Sequence, residues 1–79
     1  MYLPSKDLFE FLKKVLVAVG AEHSEGSGGY GPILTFRFEG KFCWVMATGS
    51  GYNIYSEDPE KLKSFEKIYY GILEEHNKD

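Results

Sequence analysis

Leu34-Thr35-Phe36-Arg37-Phe38-Glu39-Gly40-Lys41-Phe42-Cys43-Trp44-Val45-Met46-Ala47 reads as two strands joined by a tight turn, and the way its side chains divide decides the fold. In the first half, Leu34, Phe36 and Phe38 alternate with Thr35 and Arg37, the pattern of a strand with one buried and one wet face. In the second half, Phe42 to Thr48, apolar residues run almost without a break, so both faces of that strand ask for cover. Glu39-Gly40-Lys41 forms the turn, with Gly40 supplying the positive φ that tight hairpins require. Gly49-Ser50-Gly51 makes a second turn and Tyr52 to Ser56 a third strand, with Tyr52 and Ile54 on one face and Tyr55 on the other.

Turn length sets the register. A two-residue loop, Glu39-Gly40, pairs Phe38 with Lys41 and Phe36 with Cys43. Leu34, Phe36, Phe38, Cys43, Val45 and Ala47 then share one face, and Phe42, Trp44 and Met46 join Thr35 and Arg37 on the other. A three-residue loop pairs Phe38 with Phe42, Phe36 with Trp44 and Leu34 with Met46. One residue of slip carries a whole side-chain set across the sheet. If one helix covers each face, the aromatic set is ordinary core. If both helices lie on one face, Phe42, Trp44 and Met46 form an apolar patch of the size that marks an interaction surface.

Outward from the hairpin, Leu8, Leu12, Val15, Leu16 and Val19 fall on one face of a helix from about Ser5 to Val19. Ser5 is its N-cap, Asp7 favours the positive end of its dipole, and Gly20 is its left-handed C-terminal cap. Residues 21–31 are a Gly/Ser-rich loop closed by Pro32, with a short strand at Ala21–Glu25 as an alternative that no apolar face supports. A second helix opens with Asp58 as N-cap and Pro59 at N1. Leu62, Phe65, Tyr69, Ile72 and His76 then recur at helical spacing. Gly71 inside this helix costs about 1 kcal/mol against alanine, which a close approach to the sheet or to another helix would explain. Glu74 and Lys78 are placed as an i,i+4 pair.

The expected fold is therefore α+β: one small domain over residues 1–79 in αβββα order, a three-stranded antiparallel meander packed with two amphipathic helices. With 43% hydrophobic and 16% aromatic residues the chain is too apolar to be disordered. A net charge of −3 and a single arginine, Arg37, count against a phosphate-contacting surface. Cys43, the sole cysteine, has no internal partner for a disulfide. The start Met1-Tyr2-Leu3-Pro4-Ser5-Lys6 lacks the pattern of a signal peptide, and Val15–Val19 is far below the roughly 20 residues that span a bilayer. A cytoplasmic location with no membrane association is the default expectation.

Candidate chemistry is sparse. Gly26-Ser27-Gly28-Gly29-Tyr30-Gly31 spells Gly-x-Gly-x-x-Gly, but it follows a helix and opens a strand, the reverse of what phosphate binding needs. His23, His76 and Cys43 show no metal-ligand spacing. Cys43 sits mid-strand among apolar neighbours, where a thiol is usually buried and inert. No paired-carboxylate arrangement is evident. The expectation is a chain that is not an enzyme, with no cofactor, no metal and no catalytic residue.

Two resemblances add to this. Gly40-Lys41-Phe42-Cys43-Trp44-Val45 looks like the aromatic strand of an RNA-recognition motif, on which bases stack, although that fold interleaves its elements as βαββαβ. From Leu8 to Leu73, the order of helix, Gly cap, Gly-rich loop, Leu-Thr-Phe-Arg-Phe-Glu-Gly-Lys-Phe, third strand and Asp-Pro helix is similar to YbjN-like and type III secretion chaperone-like domains. That resemblance implies a protein-binding role, commonly as a dimer; it carries over no individual residue. The predicted role is a small protein–protein interaction module (adaptor, chaperone-like protein or inhibitor, including inhibitors encoded by phages and other mobile elements). Its expected contact residues are Phe42, Trp44 and Met46, with Tyr30 and Tyr52 at flanking turns. Self-association is one form of such binding, and single-stranded nucleic acid on the aromatic sheet face is the alternative.

Overall fold

The computed structural model describes residues 1–26 and 33–78. Along them run β1 (Tyr2–Leu3), α1 (Lys6–Ala18), β2 (His23–Glu25), β3 (Leu34–Phe38), β4 (Lys41–Ala47), β5 (Tyr52–Ser56) and α2 (Pro59–His76). The strands form one antiparallel sheet in the order β1-β5-β4-β3-β2. The fold is α+β, but the sheet has five strands, and the expected three-stranded αβββα order is corrected. The central three form the meander, while β1 and β2 add at its two edges.

The hairpin takes the two-residue loop: Phe38 lies opposite Lys41 and Phe36 opposite Cys43. Both loop residues have positive φ, Glu39 at 51° and Gly40 at 80°. That double left-handed turn twists in the sense its flanking strands require, which fixes the register. Lys61 of α2 reaches the Glu39 carboxylate at 3.1 Å and ties the turn to the helix.

Helix caps follow the sequence closely. The Ser5 hydroxyl accepts from the Leu8 amide, and Asp58 accepts from the amides of Glu60 and Lys61. At the end of α1 the Ala21 amide donates to the Leu16 carbonyl and the Gly20 amide to the Val17 carbonyl, with Gly20 at φ 71°. Those paired bonds are a Schellman cap, and they satisfy carbonyls the helix leaves open.

Both helices pack on the same face of the sheet. Phe9, Leu12, Val15 and Leu16 from α1 and Phe65 and Tyr69 from α2 bury one core with Leu3, Leu34, Phe36, Phe38, Cys43, Val45 and Ile54. Every strand residue in that set has the same pleat direction, as period-2 alternation demands. The Tyr69 hydroxyl donates to the Leu8 carbonyl at 2.8 Å and so bolts one helix to the other. Burial, followed by the neighbouring Tyr70, pushes its pKa up to about 12.

Three local expectations change. Gly71 has nothing within 4 Å of where a Cβ would stand, so no close approach explains it. Lys78 pairs with Glu75 at 3.3 Å rather than with Glu74. His23 belongs to a strand, not a loop. The glycine that a close approach does require is Gly51, where a Cβ would come within 2.5 Å of the Leu3 carbonyl oxygen. That clearance lets β1 lie against β5, and the Tyr2 hydroxyl donates to the Ser50 carbonyl at 2.7 Å across the same turn.

Candidate functional site: the open sheet face

With both helices on one side, the other side of the sheet has no layer over it among the described residues. The register puts Thr35, Arg37, Phe42, Trp44, Met46, Asn53 and Tyr55 on it. Phe42 and Tyr55 remain 38% and 43% exposed, and Trp44 and Met46 are half-buried. Three rings run along β4 and across to β5. Phe42 and Trp44 stack with centroids 5.7 Å apart, and Trp44 and Tyr55 with centroids 5.9 Å apart. Each ring shields part of its neighbour, and this shielding lets the sheet carry so much aromatic surface without a covering helix.

Charges flank the rings in a single cross-strand row. Arg37 on β3 is the direct partner of Phe42 on β4. Backbone bonds prolong the row on both sides: the Arg37 amide donates to the Glu22 carbonyl at 2.9 Å, and the Glu57 amide to the Phe42 carbonyl at 3.1 Å. Glu22 and Glu57 lie two residues from Ser24 and Tyr55 respectively, one residue beyond the ends of β2 and β5, and so continue the open-face register of those strands. All three charged side chains are exposed, and among the described residues none of them makes an ion pair.

Of the expected contact residues, Phe42, Trp44 and Met46 come together on this face. Tyr52 does not. Its ring stacks on Phe9 at 4.4 Å, on the helix-covered side, because it shares its pleat direction with Ile54. Tyr30 lies outside the described residues, as does the Gly26–Gly31 motif beyond Gly26. Tyr55 takes the place assigned to Tyr52, because the second turn has four residues, Thr48 to Gly51, and not the three of Gly49-Ser50-Gly51, which sets Tyr55 opposite Trp44.

Elsewhere the described residues offer little chemistry. The Cys43 thiol is fully buried in the core, and burial, its largest perturbation, pushes its pKa up. His76 stands at the end of α2 against the Phe11 ring, centroids 5.1 Å apart. His23 is on edge strand β2, its Nδ1 3.0 Å from the Ala21 carbonyl oxygen. Among the described residues no three His, Cys, Asp or Glu side chains gather as a metal-holding group, and no helix is long and apolar enough to cross a membrane. The chain matches no protein-family model, no curated protein and no solved structure.

Proposed function

We propose that this chain is a non-enzymatic protein–protein interaction module, of adaptor, chaperone-like or inhibitory type, that binds through the open sheet face. The carrying observation is the stacked Phe42–Trp44–Tyr55 row left outside the core of a 79-residue protein. Aromatic anchors ringed by contacts that add little energy of their own are the usual centre of a protein interface. Met46 adds an adaptable apolar contact beside them.

A second reading is single-stranded nucleic acid on the same rings, since bases stack on exposed sheet aromatics. Against it stands the charge of the face, where Arg37 is outnumbered by Glu22 and Glu57. A backbone-tracking surface needs several cations.

The test is a photo-crosslinking residue at position 44 in cells, with the same probe in a Phe42→Ser, Tyr55→Ser background. Proteins captured by the first and lost in the second support the module. Equal capture by both sinks it. Titration of oligonucleotides against Trp44 fluorescence at low salt is expected to show no change, and salt-sensitive quenching would favour the second reading.

A further inference from the structure

We infer that the partner of the open face is a second copy of this chain, packed sheet against sheet about a two-fold axis running along β4; this rests on the interaction-module reading. Two observations carry it, the placement of the charges and the size of the face.

The row Arg37–Phe42–Glu57 puts one cation on the β3 side of β4 and one anion on the β5 side. Two strand spacings of about 4.8 Å separate them, with the Phe42 ring between, so they do not neutralise each other within the chain. A two-fold axis along β4, in the plane between two facing sheets, leaves each position along the strand unchanged and exchanges the β3 and β5 sides. Arg37 of one copy then stands over Glu57 of the other, and the symmetry makes two such pairs. Phe42, Trp44 and Met46 of both copies meet along the axis, and Thr35 faces Tyr55. An axis in the same plane but across the strands keeps Arg37 on the β3 side, where no acid of this row answers it except Glu22. The face is thus self-complementary in one arrangement, as an isologous interface must be.

The area suits a weak pairing. The strands hold 2, 3, 5, 7 and 5 residues, which at about 3.3 Å along and about 4.8 Å across each strand project a face of about 350 Å². That is below the ~800 Å² that a standard interface takes from each partner, so the dimer belongs to the weak class and forms toward the upper end of a concentration series. Sheets packed face to face in this way stand about 10 Å apart with strands aligned to within about 30°. The product is a four-layer assembly with helices on both outer sides.

Sedimentation equilibrium of the full chain, over a concentration series reaching the millimolar range, tests the pairing. The wild type should approach twice the chain mass at the upper end of that series. Trp44→Ala should weaken the dimer by ~30-fold or more, as central aromatic truncations do. Arg37→Glu and Glu57→Arg should each weaken it by ~10-fold, and the double charge reversal should return it to within ~3-fold of wild type. Circular dichroism and thermal unfolding of each variant show that the fold is retained. A dimer indifferent to Trp44→Ala, or a double reversal no tighter than the single ones, overturns the arrangement. A wild-type monomer that still crosslinks through position 44 to another protein overturns self-pairing but leaves the module reading standing. A monomer that captures nothing removes both.

Discussion

The two faces of this sheet are built from the same strands and nearly the same residue types, yet they do different work. On the covered face, Phe36 and Phe38 meet Phe65 with centroids 5.0 and 5.2 Å apart, and none of the three is appreciably exposed. On the open face, among the described residues, Phe42, Trp44 and Tyr55 stack only on one another. Aromatic content therefore does not identify the core here. The turn at Glu39-Gly40 and the side on which the helices dock do so. The described residues hold two helices, enough for one layer, and both lie on the side where Leu3 and Ile54 also point.

The sharpest way to break the contrast is to truncate one ring from each face. Phe65→Ala should lower stability by about 3–5 kcal/mol, since it opens a cavity in the middle of the core. Trp44→Ala should lower it less, by about 1–3 kcal/mol, the worth of its two ring stackings. Urea unfolding of both variants under conditions that keep the chain monomeric measures the difference. Comparable losses would mean that the open face is not open.

A smaller effect lies where the two helices meet over the covered face. Tyr69→Phe removes the hydroxyl that donates to Leu8 and should cost about 1 kcal/mol. The wild type should also lose stability as pH rises from about 10. Between the ordinary tyrosine pKa of 10.0 and the folded value of about 12, the unfolded chain releases this proton while the native state holds it. The native state then binds more protons, so stability falls with pH, by at most about 1.4 kcal/mol per pH unit for this group. Unfolding midpoints compared between pH 9 and 12 should show that Tyr69→Phe lacks this component of the decline.

Smallest, and opposite in sign, is Gly71→Ala on the outward side of α2. Nothing stands near its absent Cβ, so the substitution should raise stability by about 0.5–1 kcal/mol through helix propensity alone. Thermal unfolding reads this directly, and a loss instead would show that this side of the helix, too, is packed against something.

Much of the fold was legible before any coordinates. Both helices begin at the expected caps, Ser5 and Asp58, and α1 ends at Gly20, because capping is a local matter of a hydroxyl, a carboxylate or a missing Cβ. The three central strands were legible too, from alternation and from glycine turns. Of the edge strands, the first was not, and the second stood only as an alternative at Ala21–Glu25. Tyr2–Leu3 is too short to show a period, and only the clearance at Gly51 admits it. His23–Glu25 has no buried residue at all; backbone pairing to β3 holds it, and Lys13 reaches the Glu25 carboxylate at 2.9 Å. Of the candidate site, Phe42, Trp44 and Met46 could be named from sequence. Tyr52 was misplaced because its face depends on how β5 registers against β4, and Tyr55 was missed for the same reason.

By itself, then, the sequence determined the elements whose causes lie within a few residues: two capped amphipathic helices, a meander with tight turns, and a strand, read as Phe42 to Thr48, apolar on both sides. It also determined that Phe42, Trp44 and Met46 travel together, because period-2 alternation allows nothing else. Only the tertiary structure decided that they face outward. That outcome depends on a two-residue turn choosing the register and on two distant helices docking side by side over Phe36 and Val45. Hydrophobic burial favours covering an apolar face but does not say which one. The choice is made by the larger combined core of Leu34, Phe36, Phe38, Cys43, Val45, Ile54 and Leu3, which only the assembled sheet brings together.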